Sequence, residues 1–192
     1  MRLDEFEQTL QKELSWRKKE ISELLLYSKQ TPQEVLLKSL ILLIYAHWEG
    51  FIKKSSKLYL KYISDQNLKI GLLTQNFRAI SLKTQIGKCL EAKESLTLGN
   101  ELVFINTYSK KQNAKFKLNI NIENEQDNAI INTKSNLSPK IFKNILNILG
   151  INYKDTFKLK EEYFNKNLLN NRNQIGHGGE TLSTIPRLSV DI

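Results

Sequence analysis

The chain has 192 residues, 40% of them apolar and 26% charged, a balance ordinary for a soluble globular protein and enough for one sizeable core. Its single cysteine, Cys89, excludes an internal disulfide and any cysteine-based zinc cluster. The net charge of +9 is spread evenly: 11 basic against 8 acidic residues in 1–64, 10 against 7 in 65–137, and 8 against 5 in 138–192. A diffuse positive field of this kind suits a polyanion such as RNA, although biased composition alone would also produce it.

The opening Met-Arg-Leu-Asp-Glu-Phe is acidic and amphipathic, unlike a secretory signal. Leu3, Phe6, Leu10, Leu14, Ile21, Leu24 and Leu25 recur at helical spacing and predict a first long helix over 2–29. Thr31-Pro32 marks a boundary, with Thr as N-cap and Pro at the first helical position. A second long helix follows over 33–64, its inner face formed by Leu40, Ile44, Trp48, Phe51, Leu58 and Tyr62. The most apolar run, Val35 to Tyr45, is interrupted by Lys38 and falls short of the roughly 20 residues that cross a bilayer. It is read as core, and the protein as cytoplasmic with no membrane partner.

Residues 67–95 read as a less regular helix, weakened at Gly71 and Gly87. Between Asn106 and Asn136 lie eight asparagines, and Phe116, Leu118, Ile120 and Ile122 alternate with polar residues. That period of two predicts a small β-hairpin over 115–133, Ala129 to Asn132 forming its second strand, within an insertion over 106–136. Ser138-Pro139 starts another helix, ending at Gly150, and a last one runs from Lys158 to Ile175 and stops at Gly176. The whole is read as one domain, 1–192.

Only two histidines occur, His47 and His177, and histidine is the usual general acid or base. His177 closes Arg172-Asn173-Gln174-Ile175-Gly176-His177-Gly178 at the end of an asparagine-rich helix. Asn173 and His177 are four apart and share a face, with Arg172 on the adjoining strip. A guanidinium, an amide and an imidazole could thus be presented together, beside glycines that let a phosphate approach the backbone. The bland readings are that His177 caps its helix and that Arg172 pairs with Glu161 or Glu162.

In the second helix, His47 beside Trp48 reads as a hydrogen-bonded core histidine, or else as a site member. Glu49, Lys53, Lys57 and Lys61 recur every four residues. They form either a solvated face or a ridge that tracks an RNA backbone, with Glu49 as a polar site member. No metal site and no cofactor are expected: the histidines are far apart and there is no cysteine pair or acidic cluster.

The pattern Arg172, Asn173, His177, Gly178 resembles the Arg-x(4–6)-His signature of the HEPN superfamily. Ala46-His47-Trp48-Glu49-Gly50-Phe51 is similar to a segment of one prokaryotic HEPN branch, and Ser135-Asn136-Leu137-Ser138 also resembles that branch. The resemblance covers about residues 33–180. It implies an all-α antiparallel bundle and, in many members, a metal-independent endoribonuclease of toxin–antitoxin or phage-defence systems. It further implies a homodimer in which two Arg–His motifs share one cleft, with an antitoxin or sensor protein as a further partner. His177 would act on the ribose 2′-hydroxyl or the leaving oxygen, Arg172 on the phosphoryl oxygens, and Asn173 on the histidine or the phosphate. Related toxins carry a tyrosine two positions after the histidine; here that position is Gly179. The branch continues into a further helix, of which Ser189 to Ile192 is read as the start, so the chain is expected to be cut short there. The alternative is a non-catalytic HEPN module that binds RNA or nucleotide, or serves as a protein-interaction scaffold.

Overall fold

The computed structural model describes residues 1–31, 33–91, 97–124 and 129–179. The fold is all-α. Its helices are α1 (Leu3–Gln30), α2 (Glu34–Asp65), α3 (Gln75–Glu91), α4 (Gly99–Lys111), α5 (Pro139–Leu149), α6 (Asp155–Lys158), α7 (Glu161–Phe164) and α8 (Asn170–Gly176). A 3-10 turn at Ile70–Leu72 precedes α3, and a π turn at Asn165–Leu169 joins α7 to α8. Pro32 and the segment Ser189 to Ile192 lie outside the described residues.

The chain divides into two compact units, neither contiguous in sequence. The first comprises Met1–Glu7, Lys54–Asn132 and Asn144–Asn152; the second comprises Gln8–Lys53, Thr133–Lys143 and Tyr153–Ile192. In the first, the start of α1 lies on the end of α2: Phe6 stacks on Tyr62 with ring centroids 5.0 Å apart, and the Met1 ammonium pairs with Asp65 at 3.0 Å. In the second, Trp16 of α1 meets His47 of α2 edge-on at 5.1 Å. The two long helices therefore run antiparallel. Helix α2 is long and apolar enough to cross a membrane by length and composition. It also carries the buried Leu40, Ile41, Tyr45, Leu58 and Leu60, and a core helix meets the same criterion.

Two expectations need correction in the first unit. Among the described residues there is no β-hairpin over 115–133, only one isolated antiparallel bridge, Lys69 to Lys115. The alternation is real, for Phe116 is fully buried while Lys115 and Lys117 are exposed. But this extended segment spends its backbone bonds on the turn after α2. Phe116 N–H donates to Leu68 O (2.8 Å), Ile70 N–H to Ala114 O (2.9 Å), and Leu118 N–H to Ser64 Oγ (2.8 Å). Gly71 permits the approach, since a Cβ there would meet Gln112 O at 2.9 Å. The second correction is α4, which packs on α3 and runs into the region read as an insertion. Gly87, expected as a weak point, sits inside an unbroken α3.

The helix ends follow their punctuation. Ser138 caps α5, its Oγ accepting Ile141 N–H at 3.3 Å. Helix α5 closes on Gly150 with paired bonds from Gly150 N–H to Asn147 O and Ile151 N–H to Leu146 O. The last helical stretch differs from a single helix over 158–175. It breaks after Lys158, resumes at Glu161 and passes through the π turn, which shifts the angular phase of everything after it.

Candidate active site

In the second unit one guanidinium meets Ser135 and Tyr45, the residue just before Ala46. Arg172, in the first turn of α8, has its Cζ 4.7 Å from the ring centroid of Tyr45 on α2. Its Nη1 donates to Asn173 Oδ1 at 2.9 Å and its Nη2 to the Ser135 carbonyl at 3.3 Å. Ser135 belongs to a tight turn, Thr133 to Asn136, closed by Asn136 N–H to Thr133 O at 3.1 Å. Both central residues, Lys134 and Ser135, have positive φ (55° and 54°), the conformation of a mirror-image turn that Asn-Gly would adopt with less strain. One residue on, Leu137 N–H donates to the Tyr45 hydroxyl at 2.6 Å. The same turn thus anchors both the ring that carries Arg172 and the guanidinium itself.

Tyr45 is 3% exposed. Glu49 lies one helical turn along α2, on the same strip of the helix. Burial first, then the charge of Glu49, push the phenol well above its ordinary pKa, against weaker opposing effects of Leu137 N–H and Arg172. Tyr45 is therefore neutral at any physiological pH. Trp48 supports the arrangement from behind, packing on Phe164 at 4.3 Å, Tyr45 at 6.0 Å and Phe142 at 6.2 Å between centroids. It acts as core, as its spacing indicates.

Arg172 makes no ion pair among the described residues, with Glu161, Glu162 or any other carboxylate. Of its five N–H donors, two are engaged here, each by a neutral acceptor. It keeps its charge and the donors that a phosphate would need. Asn173 turns its amide oxygen to Arg172 rather than to the histidine.

His177 lies beyond α8 at its C-cap and is exposed. The helix ends in a Schellman arrangement, Gly179 N–H to Gln174 O (2.9 Å) and Gly178 N–H to Ile175 O (3.1 Å), with Gly178 at φ +76°. Five residues of helix separate Arg172 from His177, which turns them about 140° apart around the axis. Among the described residues no hydrogen bond links the imidazole to the guanidinium.

His47 faces the other way from Tyr45. It is 8% exposed, with Nε2 3.0 Å from Glu20 Oε2 on α1, though not in hydrogen-bonding alignment, and its ring meets Trp16. Glu49, four residues after Tyr45, thus lies on the Tyr45 side of α2, and His47 does not. The expected lysine ridge is corrected too: Lys57 is 3% exposed and donates to Asn124 O at 2.8 Å. Lys61 pairs with Asp65 at 3.2 Å, while Lys53 is half-buried. A four-residue repeat gains about 40° per step on a helix of 3.6 residues per turn, so the positions spiral out of one face.

Among the described residues no three His, Cys, Asp or Glu side chains are grouped to hold a metal ion. Tyr45 was not picked out by sequence reading; the available signal was its place four residues before Glu49. A model of the MAE_28990-like HEPN family matches residues 6–189. No curated protein and no solved structure matches the chain. Over nearly its whole length, the chain belongs to the HEPN superfamily, in the MAE_28990-like HEPN family.

Proposed function

We propose that this protein is a metal-independent endoribonuclease of the HEPN type, acting in the cytoplasm as a toxin or phage-defence effector. The observation that carries the reading is Arg172: a guanidinium fixed by a ring face, a carbonyl and an amide oxygen, with its charge uncompensated and donors to spare. A group so held is pre-organised for phosphoryl oxygens on which negative charge develops. His177, exposed one turn further on, is free to exchange protons with a bound strand.

In this reading His177 takes the proton of the ribose 2′-hydroxyl as the 2′-oxygen bonds to phosphorus. The bond from phosphorus to the 5′-oxygen breaks, and that oxygen leaves with a proton. The products are a 2′,3′-cyclic phosphate and a 5′-hydroxyl end. A homodimer would supply the histidine of one copy and the arginine of the other to a shared cleft. Lys53 would contribute to holding the RNA backbone, and an antitoxin or sensor protein would restrain the activity.

The test is cleavage of total tRNA and of a generic single-stranded RNA in EDTA, comparing the unaltered protein with His177→Ala. Cleavage by the first alone is the expected result. The second reading is a non-catalytic HEPN module. RNA binding without scission, unchanged in His177→Ala, would establish it.

A further inference from the structure

Two supports of Arg172, far apart in sequence, are joined by one bond. The Tyr45 ring centroid lies 4.7 Å from its Cζ, and the Ser135 carbonyl accepts from its Nη2 at 3.3 Å. Two residues after Ser135, Leu137 N–H donates to the Tyr45 hydroxyl at 2.6 Å, in the buried interior. We propose that Tyr45 is a positioning residue with two arms: its ring face bears the guanidinium, and its hydroxyl holds the turn whose Ser135 carbonyl orients the guanidinium toward an RNA phosphate.

The two arms do different work. A ring face attracts a cation anywhere above it, so it sets the distance of the guanidinium but leaves the fork free to rotate. A hydrogen bond to a carbonyl is directional and fixes that rotation. The contact with Asn173 is to the next residue of the same helix, so it orients the fork against α8 and not against the rest of the fold. The Ser135 carbonyl must itself be held, because Lys134 and Ser135 both sit in the left-handed region, which the chain does not favour unaided. A buried amide is costly to leave unpaired, so the chain just past the turn stays where the Tyr45 hydroxyl stands. Phenylalanine keeps the first arm and removes the second, and leucine removes both.

This inference rests on reading Arg172 as the phosphate-binding group, and its test separates the two. The probe is a fluorescent 2′-O-methyl RNA oligonucleotide, which lacks the attacking hydroxyl and reports binding alone. Tyr45→Phe should weaken its affinity about threefold, and Tyr45→Leu about tenfold, close to the loss of one charge-assisted contact in Arg172→Ala. In an Arg172→Ala background neither Tyr45 substitution should weaken binding further. Thermal melts run beside the titrations confirm that each variant is folded.

The pairing with Arg172→Ala is the readout that a merely structural tyrosine would not move. General damage to the fold lowers affinity by the same factor whether or not Arg172 is present, whereas lost positioning has nothing left to act on once the guanidinium is gone. If Tyr45→Leu binds like the unaltered protein, or weakens binding equally in both backgrounds, the inference is overturned, whether or not the protein cuts RNA. The graded loss, confined to proteins that carry Arg172, upholds it even in a protein that binds but never cleaves, an outcome that removes the nuclease reading. Absence of binding by the unaltered protein overturns both.

Discussion

Two arginines in the second unit sit over aromatic rings, and their surroundings differ in one respect that decides what each can do. Arg17, on α1, has its Cζ 4.3 Å from the Trp16 ring and 5.9 Å from Phe51. It is 8% exposed and forms an ion pair with Glu13 at 2.6 Å, the same Nη1 also reaching the Glu13 carbonyl. Arg172 has the ring, a carbonyl and an amide, but no carboxylate partner among the described residues. A cation matched by a carboxylate in a buried site has its charge spent inside the fold. A cation held by neutral acceptors is oriented without being neutralised. On the proposed reading the first arrangement belongs to structure and the second to binding.

The largest effect should come from Arg172→Lys. Lysine keeps the charge but loses the planar fork that stacks on Tyr45 and reaches two acceptors at once. Removing a fixed transition-state contact of this kind costs a factor of about 10²–10³ in rate. The expected outcome is such a fall in kcat/KM for RNA cleavage, with a change of about 1 kcal/mol or less in stability, the scale of one cation–π contact. Retained cleavage would place the chemistry elsewhere.

Glu13→Gln should show the reverse. It leaves the Arg17 charge buried and unpaired, a change that costs about 3 kcal/mol in comparable sites. Denaturant unfolding should reveal that loss, while the activity of the remaining folded protein stays near that of the original. Arg17→Met in the same chain removes the stranded charge, and the double variant should recover much of the stability. If Glu13→Gln instead lowered turnover without lowering stability, the distinction between the two arginines would fail.

What the sequence disclosed and what it hid follow from where the signals arise. The caps at Ser138, Gly150 and Gly176–Gly178 were legible because they depend on local chemistry alone. The two long helices announced themselves through stripes that are in fact packed. Helix α4 did not, because none of its residues is buried and no amphipathic period had reason to appear. The alternation over Phe116 to Ile122 reported an extended chain with one inward edge, but a period of two does not name the partner, which proved to be the turn after α2. At the site, Arg172 and Asn173 stood out by motif. Tyr45 was absorbed into an apolar run, since a phenol at helical spacing reads as core until its hydroxyl has a partner. Lys57 misled in the opposite direction, as a charge assumed to face water but buried against Asn124 O.

The smallest expected effect sharpens the comparison at the turn that supports Arg172. Lys134 and Ser135 both occupy the left-handed region, which costs an L-residue about 1–2 kcal/mol relative to a right-handed conformation. Ser135→Gly relieves that strain at one position but adds backbone freedom to the unfolded chain, so the net gain should be about 0.5 kcal/mol. The carbonyl that accepts from Arg172 Nη2 is main chain and survives the substitution. A slightly raised melting temperature with unchanged kcat/KM would therefore show that Ser135 supplies only its backbone oxygen. A raised melting temperature with a severalfold loss of kcat/KM would show that the strained geometry itself aims the guanidinium. Arg172 would then depend on a distorted turn for its orientation, where Arg17 depends on a carboxylate within its own helix.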